Sequence, residues 1–318
     1  MIMNVDVDRI RAIAKARTRG EWLAKPARAV LWHLMRPYVE AVLATTKEFA
    51  TDDALRPPGA LTLKPGDRVK LLGRDLTLVA TDHKSQFLVL AHDLIGDLVA
   101  SGREWEPHVR AAIALAADPQ GVAVDVGAYI GLHTVLMSRL FRTVHAFEPQ
   151  RAIYDVLRAN LALNGCDNVE AANFGLYDRP GTMRLAGADK QEIPVRIVDG
   201  QPVYGDLLNA AALTFELCDD AATAGGVAAR TLDELRLENV RLIKIDTQGA
   251  DLRVLRGAVE TLRRCRPTVL FEWEKELGEQ HGTSLADFHA FFAQAGYAVS
   301  LLKEVTPGRQ ADFCARPA

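Results

Sequence analysis

The stretch Val122-Ala123-Val124-Asp125-Val126-Gly127-Ala128-Tyr129-Ile130-Gly131 decides the fold. A short valine-rich run of this kind reads as a buried strand. The two glycines that follow permit a tight turn, tolerate positive φ and let a ligand press against backbone. Apolar residues from Leu132 to Leu140 then recur at helical spacing. The glycine spacing is G-x-x-x-G, not the G-x-G-x-x-G of a dinucleotide site. The next apolar run, Thr143 to Phe147, ends Phe147-Glu148-Pro149. It places a carboxylate about 20 residues on, at the sheet edge where an acid can accept hydrogen bonds from both hydroxyls of a ribose. The competing reading of Glu148 is a carboxylate that complements the dipole of the helix after Pro149. The glycine turn upstream favours the ribose.

Outward from this stretch the chain alternates apolar strand and helix, the pattern of right-handed βαβ crossovers. Strands are expected at Val122 to Val126, Thr143 to Phe147, Val169 to Ala172, Leu242 to Asp246 and Thr268 to Glu272, with a last antiparallel portion near Tyr297 to Leu302. Helices are expected around Leu132 to Leu140, Ile153 to Leu163, Ala250 to Arg264 and Leu285 to Ala295. The fold class is therefore α/β, a doubly wound, mostly parallel sheet with helices on both faces over residues 111–318. An excursion at about 178–230, opened by Arg179-Pro180-Gly181 and holding Pro194, Pro202 and Gly225-Gly226, reads as a loop-rich insert that shapes the substrate side. Before the domain come short β-patterned runs (Leu61 to Leu63, Val69 to Leu72, Leu76 to Ala80, Phe87 to Leu90), a small antiparallel unit and linker over 59–110. Residues 1–58 carry apolar positions at helical spacing, broken at Pro26 and Pro37. They read as a packing or homo-oligomerisation segment in preference to a substrate lid.

Composition narrows the chemistry. With 318 residues, 49% of them apolar, the chain can bury a sizeable core. The net charge of −3, with no basic stripe, argues against a nucleic-acid partner. Asp6, Asp8 and Arg9 interrupt any secretory signal, and no apolar run is long enough for a membrane span. Cys166, Cys218, Cys265 and Cys314 lie far apart without a C-x-x-C pair, which speaks against a zinc site or a disulfide framework and for a cytoplasmic protein.

Several motifs taken together resemble one family: Asp125 to Gly131, Phe147-Glu148-Pro149, Asn160 to Asn164, Thr231-Leu232-Asp233, and Ile243-Lys244-Ile245-Asp246-Thr247-Gln248-Gly249-Ala250-Asp251 followed by Leu255-Arg256-Gly257. In order and spacing they look like the FkbM methyltransferases, and Gly102-Arg103-Glu104-Trp105-Glu106 resembles that family's approach to the core. The resemblance implies a Rossmann-like class I methyltransferase domain. It would transfer a methyl group from S-adenosylmethionine, generally to a hydroxyl of a sugar, glycan or secondary metabolite. By matching positions, Asp125 and the turn Gly127, Ala128, Tyr129 and Gly131 would surround the methionine part of the cofactor. Glu148 and Pro149 would meet the ribose, the loop with Asn173, Gly175 and Leu176 the adenine, and Glu106 the methionine end.

Two carboxylates, Asp246 and Glu272, end adjacent strands at the edge where open parallel sheets bind ligands. Either can serve as the general base that takes the acceptor's proton, worth roughly 10²–10⁴-fold, while positioning supplies much of the rest. Their placement also resembles the carboxylate pair that holds Mg²⁺ in catechol-type O-methyltransferases; with no third oxygen ligand evident, acid/base chemistry is preferred and no metal is assigned. Asp246 could instead pair with Lys244 or cap the helix from Ala250. His133, two residues past Gly131, is a third candidate base, His145 reads as a core histidine, and only one of Glu272 and Trp273 should face the ligand. Two other functions remain open: a nicotinamide-dependent oxidoreductase, which the same strand, turn and acid also describe, and a noncatalytic binding protein on the same fold.

Overall fold

The computed structural model describes residues 65–71, 74–81, 85–90, 93–185, 195–198, 201–204, 214–218 and 226–318. The expected helices of 1–58, any assembly through them, and the run Leu61 to Leu63 lie outside these residues. Residues 65–318 form one compact unit.

The unit opens with β1 (Arg68–Leu71), β2 (Arg74–Ala80) and β3 (Gln86–Leu90), an antiparallel sheet in the order β1-β2-β3. Helix α1 (Leu94–Ala100) follows, capped by Asp93, whose Oδ2 accepts the Gly96 N–H at 3.0 Å. Helix α2 (Pro107–Leu115) starts on a proline, whose missing N–H costs nothing in a first turn. Then come β4 (Asp118–Val126), α3 (Leu132–Ser138), β5 (Phe141–Phe147), α4 (Arg151–Leu163) and β6 (Val169–Ala172). Past the insert the alternation resumes with β13 (Val240–Ile245), α5 (Asp251–Arg256), α6 (Val259–Cys265), β14 (Thr268–Glu274), α7 (Lys275–Gln280), α8 (Leu285–Gln294), β15 (Tyr297–Thr306) and β16 (Gln310–Pro317).

The main sheet has the order β15-β16-β14-β13-β4-β5-β6. All neighbours pair in parallel except β16, which is antiparallel to both β14 and β15. This is the doubly wound sheet the sequence implies. Strand order reverses beside β4, with β5 on one flank and β13 on the other, and a crevice opens there beyond the carboxyl ends. Helices bury apolar side chains on the sheet; Phe271 of β14 lies 5.0 Å from Phe288 of α8 and 5.3 Å from Phe313 of β16.

Three details differ from the sequence reading. The antiparallel strand is β16, and Tyr297 begins a strand that runs with the others; five consecutive residues of β16, Ala311 to Ala315, are buried, so no period-two signal marks them. The single helix expected over Ala250 to Arg264 is two, divided at Gly257, where a Cβ would collide with the Tyr177 carbonyl. Helix α6 is capped from a distance: Asp233 accepts the N–H groups of Glu260 (3.0 Å) and Thr261 (2.8 Å), which gives the motif Thr231-Leu232-Asp233 a structural purpose. The insert also builds more than loops. Its strands β8 (Gly181–Leu185), β11 (Phe215–Cys218) and β12 (Val227–Arg230) join β7 (Gly175–Leu176), which just precedes it, in a sheet of order β11-β8-β12-β7, and β9 (Val195–Val198) pairs with β10 (Gln201–Tyr204).

Candidate functional site

The strand ends beside the order reversal form the site. Gly127, directly after β4, has φ +74, and a Cβ there would collide with the carbonyl oxygen of Asp246 after β13. The residue must be glycine for conformation and for clearance alike. Tyr129 sits at φ 50, a left-handed value that costs a bulky residue energy and persists only where its surroundings enforce it. Two hydrogen bonds enforce it: the Tyr129 N–H donates to Glu148 Oε2 at 3.0 Å, and its hydroxyl donates to Asp93 Oδ2 at 2.9 Å. Glu148, buried at 4% exposure, also accepts the Gln150 N–H through Oε1 at 2.8 Å. Burial pushes its carboxyl up to about 7 against those two hydrogen bonds.

Gly127, Tyr129, Phe147, Glu148 and Pro149 line a cleft whose other walls include Gly175, Leu176, Met183 and Phe215 from the insert sheet, and Asp246 and Gln248 from the loop after β13. Its empty space, mouth included, is about 620 Å³. Other motif residues stand behind this lining. Ala128 is buried and its N–H bonds the Phe147 carbonyl; Gly131 packs on Leu157 at the start of α3; Asn173 donates to the carbonyls of Glu148 (2.8 Å) and Pro149 (2.9 Å). Asp125 is fully buried, accepts the Thr134 hydroxyl at 2.7 Å and pairs with Lys244 Nζ at 3.3 Å.

A second hollow lies on the other side of Asp246, lined by Glu106, Lys244, Asp246, Glu272 and Asp312 with Phe271 and Phe313. Gln248, at φ 54, bridges its two strand-end carboxylates, donating to Asp246 Oδ1 at 3.0 Å and to Glu272 Oε2 at 3.3 Å. Gln310 donates to Glu272 Oε1 at 2.7 Å. Burial first, then the charges of Asp246 and Asp251, raise the Glu272 carboxyl well above the ordinary range. Asp246 also lies 3.6 Å from Lys244, so the ion pair weighed as an alternative to catalysis is present alongside the exposure of Asp246 to both hollows. Asp251, at the first position of α5, holds the intervening loop by accepting the Thr247 hydroxyl at 2.9 Å.

Glu106 lies across this second hollow, away from the cleft of Gly127 and Glu148. It stands at the N-cap of α2, in a left-handed conformation, without capping the helix; Oε2 instead meets His133 Nε2 at 2.8 Å. Burial and the Asp246 charge push Glu106 up to about 7, while burial and Lys244 lower His133 to about 3. His133 therefore stays neutral behind Glu106 and lines neither hollow. His145 sits within β5, 3.4 Å from Glu170. Trp273 packs against the hydrophobic core, leaving Glu272 to face the hollow. Among the described residues no group of three His, Cys, Asp or Glu side chains is placed to hold a metal ion, and no helix is long and apolar enough to cross a membrane.

The sequence reading missed Gln248, Gln310, Asp312 and the central place of Lys244. Gln248 and Lys244 sit inside a quoted motif, where adjacency to Asp246 was the available signal. Asp312 and Gln310 come from the unrecognised β16.

The donor set suits the cofactor that the resemblance implies: a glycine hinge that leaves backbone bare, a buried acid beside it, and an apolar wall from the insert. A family model of the Methyltransferase FkbM domain matches residues 125–299. Methyltransferase sdnD of Sordaria araneosa is 31% identical over 172 residues, 48% of this chain and 66% of that protein. Methyltransferase 1 of Beauveria bassiana is 29% identical over 148 residues, 42% of this chain and 57% of that protein. The chain thus spans less than two thirds of the length of either curated relative. The crystal structure of Methyltransferase FkbM from Methylobacillus flagellatus KT aligns at 16% identity and a TM-score of 0.40, covering 62% of this chain and 44% of that one. The matched span holds the glycine hinge, the acid after β5 and both strand-end carboxylates, and it exceeds half of the sequence: the chain belongs to the FkbM methyltransferase domain family.

Proposed function

We propose that this chain is an S-adenosylmethionine-dependent methyltransferase acting in the cytoplasm on a hydroxyl oxygen of a sugar, glycan or secondary metabolite. The observation that carries the reading is the crevice at the order reversal, where side-chain-free Gly127 faces the buried carboxylate of Glu148. When bound, the cofactor supplies an electrophilic methyl group on a sulfonium sulfur. Gly127 and Tyr129 present backbone to it. Glu148 accepts hydrogen bonds from ribose hydroxyls with the lone pairs left over by its two backbone partners. Gly175, Leu176 and Met183 supply the apolar wall for the base. Asp246 and Glu272, bridged by the Gln248 amide, orient the acceptor hydroxyl from the second hollow, and one of them receives its proton. His133 acts through Glu106, keeping that carboxyl aimed into the same hollow.

Titration calorimetry with S-adenosylhomocysteine and with NAD tests the reading. Micromolar binding of the first without the second is expected; the reverse result establishes a nicotinamide enzyme, and binding of neither leaves a noncatalytic role.

A further inference from the structure

Lys244 is a lysine in a place where a lysine is expensive. It points from β13 into the interior with 5% exposure, and desolvating an ammonium costs several kcal/mol unless partners compensate. Its compensation is not one carboxylate but a junction. Nζ lies 3.3 Å from Asp125 Oδ1 on β4, 3.6 Å from Asp246 Oδ2 beyond the end of its own strand, and donates to the Gly127 carbonyl at 3.4 Å. These three partners stand on the two strand ends that flank the cofactor crevice. A simple surface pair would leave those ends independent.

Resting on the methyltransferase reading, we propose that Lys244 is a positioning residue: its ammonium locks the Gly127 hinge to the Asp246 loop and is the counter-charge for Glu106 and Glu148. The groups around it come from every neighbouring element. Glu106 and His108 project from the start of α2, His133 and Thr134 from α3, and Glu148 follows β5; on the far side stand Glu272 of β14 and Asp312 of β16. Arg110 is turned to Glu104 and the Leu132 carbonyl, and His108 to Asp312, so neither reaches the Asp125–Asp246 junction. Burial and the carboxylates act in opposite directions on Lys244, and the carboxylates of Asp125, Asp246 and Glu106 win, holding it charged. In return its charge lowers Glu106 and Glu148, both of which burial has carried up to about 7.

The test uses the full chain with Lys244→Gln and Lys244→Arg, both checked for folding by circular dichroism. Carbon-13 NMR titration of the Glu106 and Glu148 carboxyls needs no ligand; calorimetric affinity for S-adenosylhomocysteine between pH 5.5 and 9 is read beside it. In Lys244→Gln both carboxyl midpoints are expected to rise by about one unit, and the affinity at pH 7 to fall about fivefold as Glu148 loses its charge. Lys244→Arg keeps a cation at the junction and is expected to hold the carboxyl midpoints near their wild-type values. A folded Gln variant with unmoved midpoints, or a folded Arg variant with midpoints raised like those of Gln, overturns the proposal. If Gln does not fold, the Arg titration decides alone. A wild-type chain that fails to bind S-adenosylhomocysteine sinks the methyltransferase reading, and the ligand-free carboxyl titration still judges Lys244.

Discussion

The side-chain amide of Asn160 pairs with both backbone groups of Leu88: the Leu88 N–H donates to Oδ1 at 2.7 Å and Nδ2 donates to the Leu88 carbonyl at 3.1 Å. The same Nδ2 donates to the Ile130 carbonyl at 2.8 Å. One turn later Asn164 makes the equivalent pair with Gln86. An edge strand leaves a row of backbone groups unpaired; here helix α4 closes that row with two asparagines and ties the small sheet to the loop of the glycine hinge. Removing Asn160 orphans buried groups at about 1–3 kcal/mol each. Asn160→Ala is therefore expected to cost about 3 kcal/mol, read as a fall in urea midpoint, with Asn164→Ala milder because that residue is partly solvated. An Asn160→Ala midpoint equal to wild type contradicts this.

Gly127→Ala is expected to abolish S-adenosylhomocysteine binding and to lower Tm, since the new methyl meets the Asp246 carbonyl at a φ of +74. Gly165→Ala is a useful comparison: its φ is also positive, but nothing stands within 4 Å of the new atom. It should incur only the backbone strain and leave binding intact, which calorimetry and a melting curve resolve together.

Glu106 carries a signed pH dependence. Its folded value, about 7, lies above the ordinary 4.5, so the folded chain binds more protons between those values and loses stability as pH rises through that window. Glu106→Gln removes the titration. Measured as a difference from wild type, the variant should gain roughly 1–3 kcal/mol of relative stability from pH 5 to pH 8. A flat difference across that range rejects the assignment.

Cofactor binding should follow Glu148. With its carboxyl near 7 and the ribose preferring the ionised acceptor, affinity for S-adenosylhomocysteine is expected to fall as pH drops below 7, approaching tenfold per unit. Proton release on binding near pH 6.5, detected as a buffer-dependent calorimetric heat, is the direct check.

Asp246→Asn and Glu272→Gln are expected to bind S-adenosylhomocysteine within a few-fold of wild type while slowing methyl transfer about 10²–10⁴-fold for whichever residue takes the proton. Transfer of a tritiated methyl to the acceptor fraction measures it. Unchanged turnover in both variants would remove these two carboxylates from the chemistry.

Legibility followed the range of each signal. Strand β6 was placed to the residue, and the strands and helices around it nearly so, because buried strands and amphipathic helices announce themselves locally. The hinge and the acid after β5 were legible because glycine and a strand-end carboxylate answer to geometry within a few residues. Gln310 and Asp312 were not, since their partners Glu272 and His108 lie 38 and 204 positions away and β16 lacks alternation. Lys244 was read only as a neighbour of Asp246, although its role depends on Asp125 and Gly127, brought beside it by parallel pairing of β13 with β4. The insert's sheet escaped notice because its strands are four or five residues long, or two in β7, and are separated by turn-rich sequence.

Asp246 borders both hollows, as a wall shared by two rooms. Filling either one must press on the same side chain and on the Gln248 amide that steadies it. Under the proposed function, thermodynamic linkage makes the influence mutual: by whatever factor the donor molecule alters the grip on its acceptor, the acceptor alters the grip on the donor. The coupling between the two hollows thus runs through one aspartate.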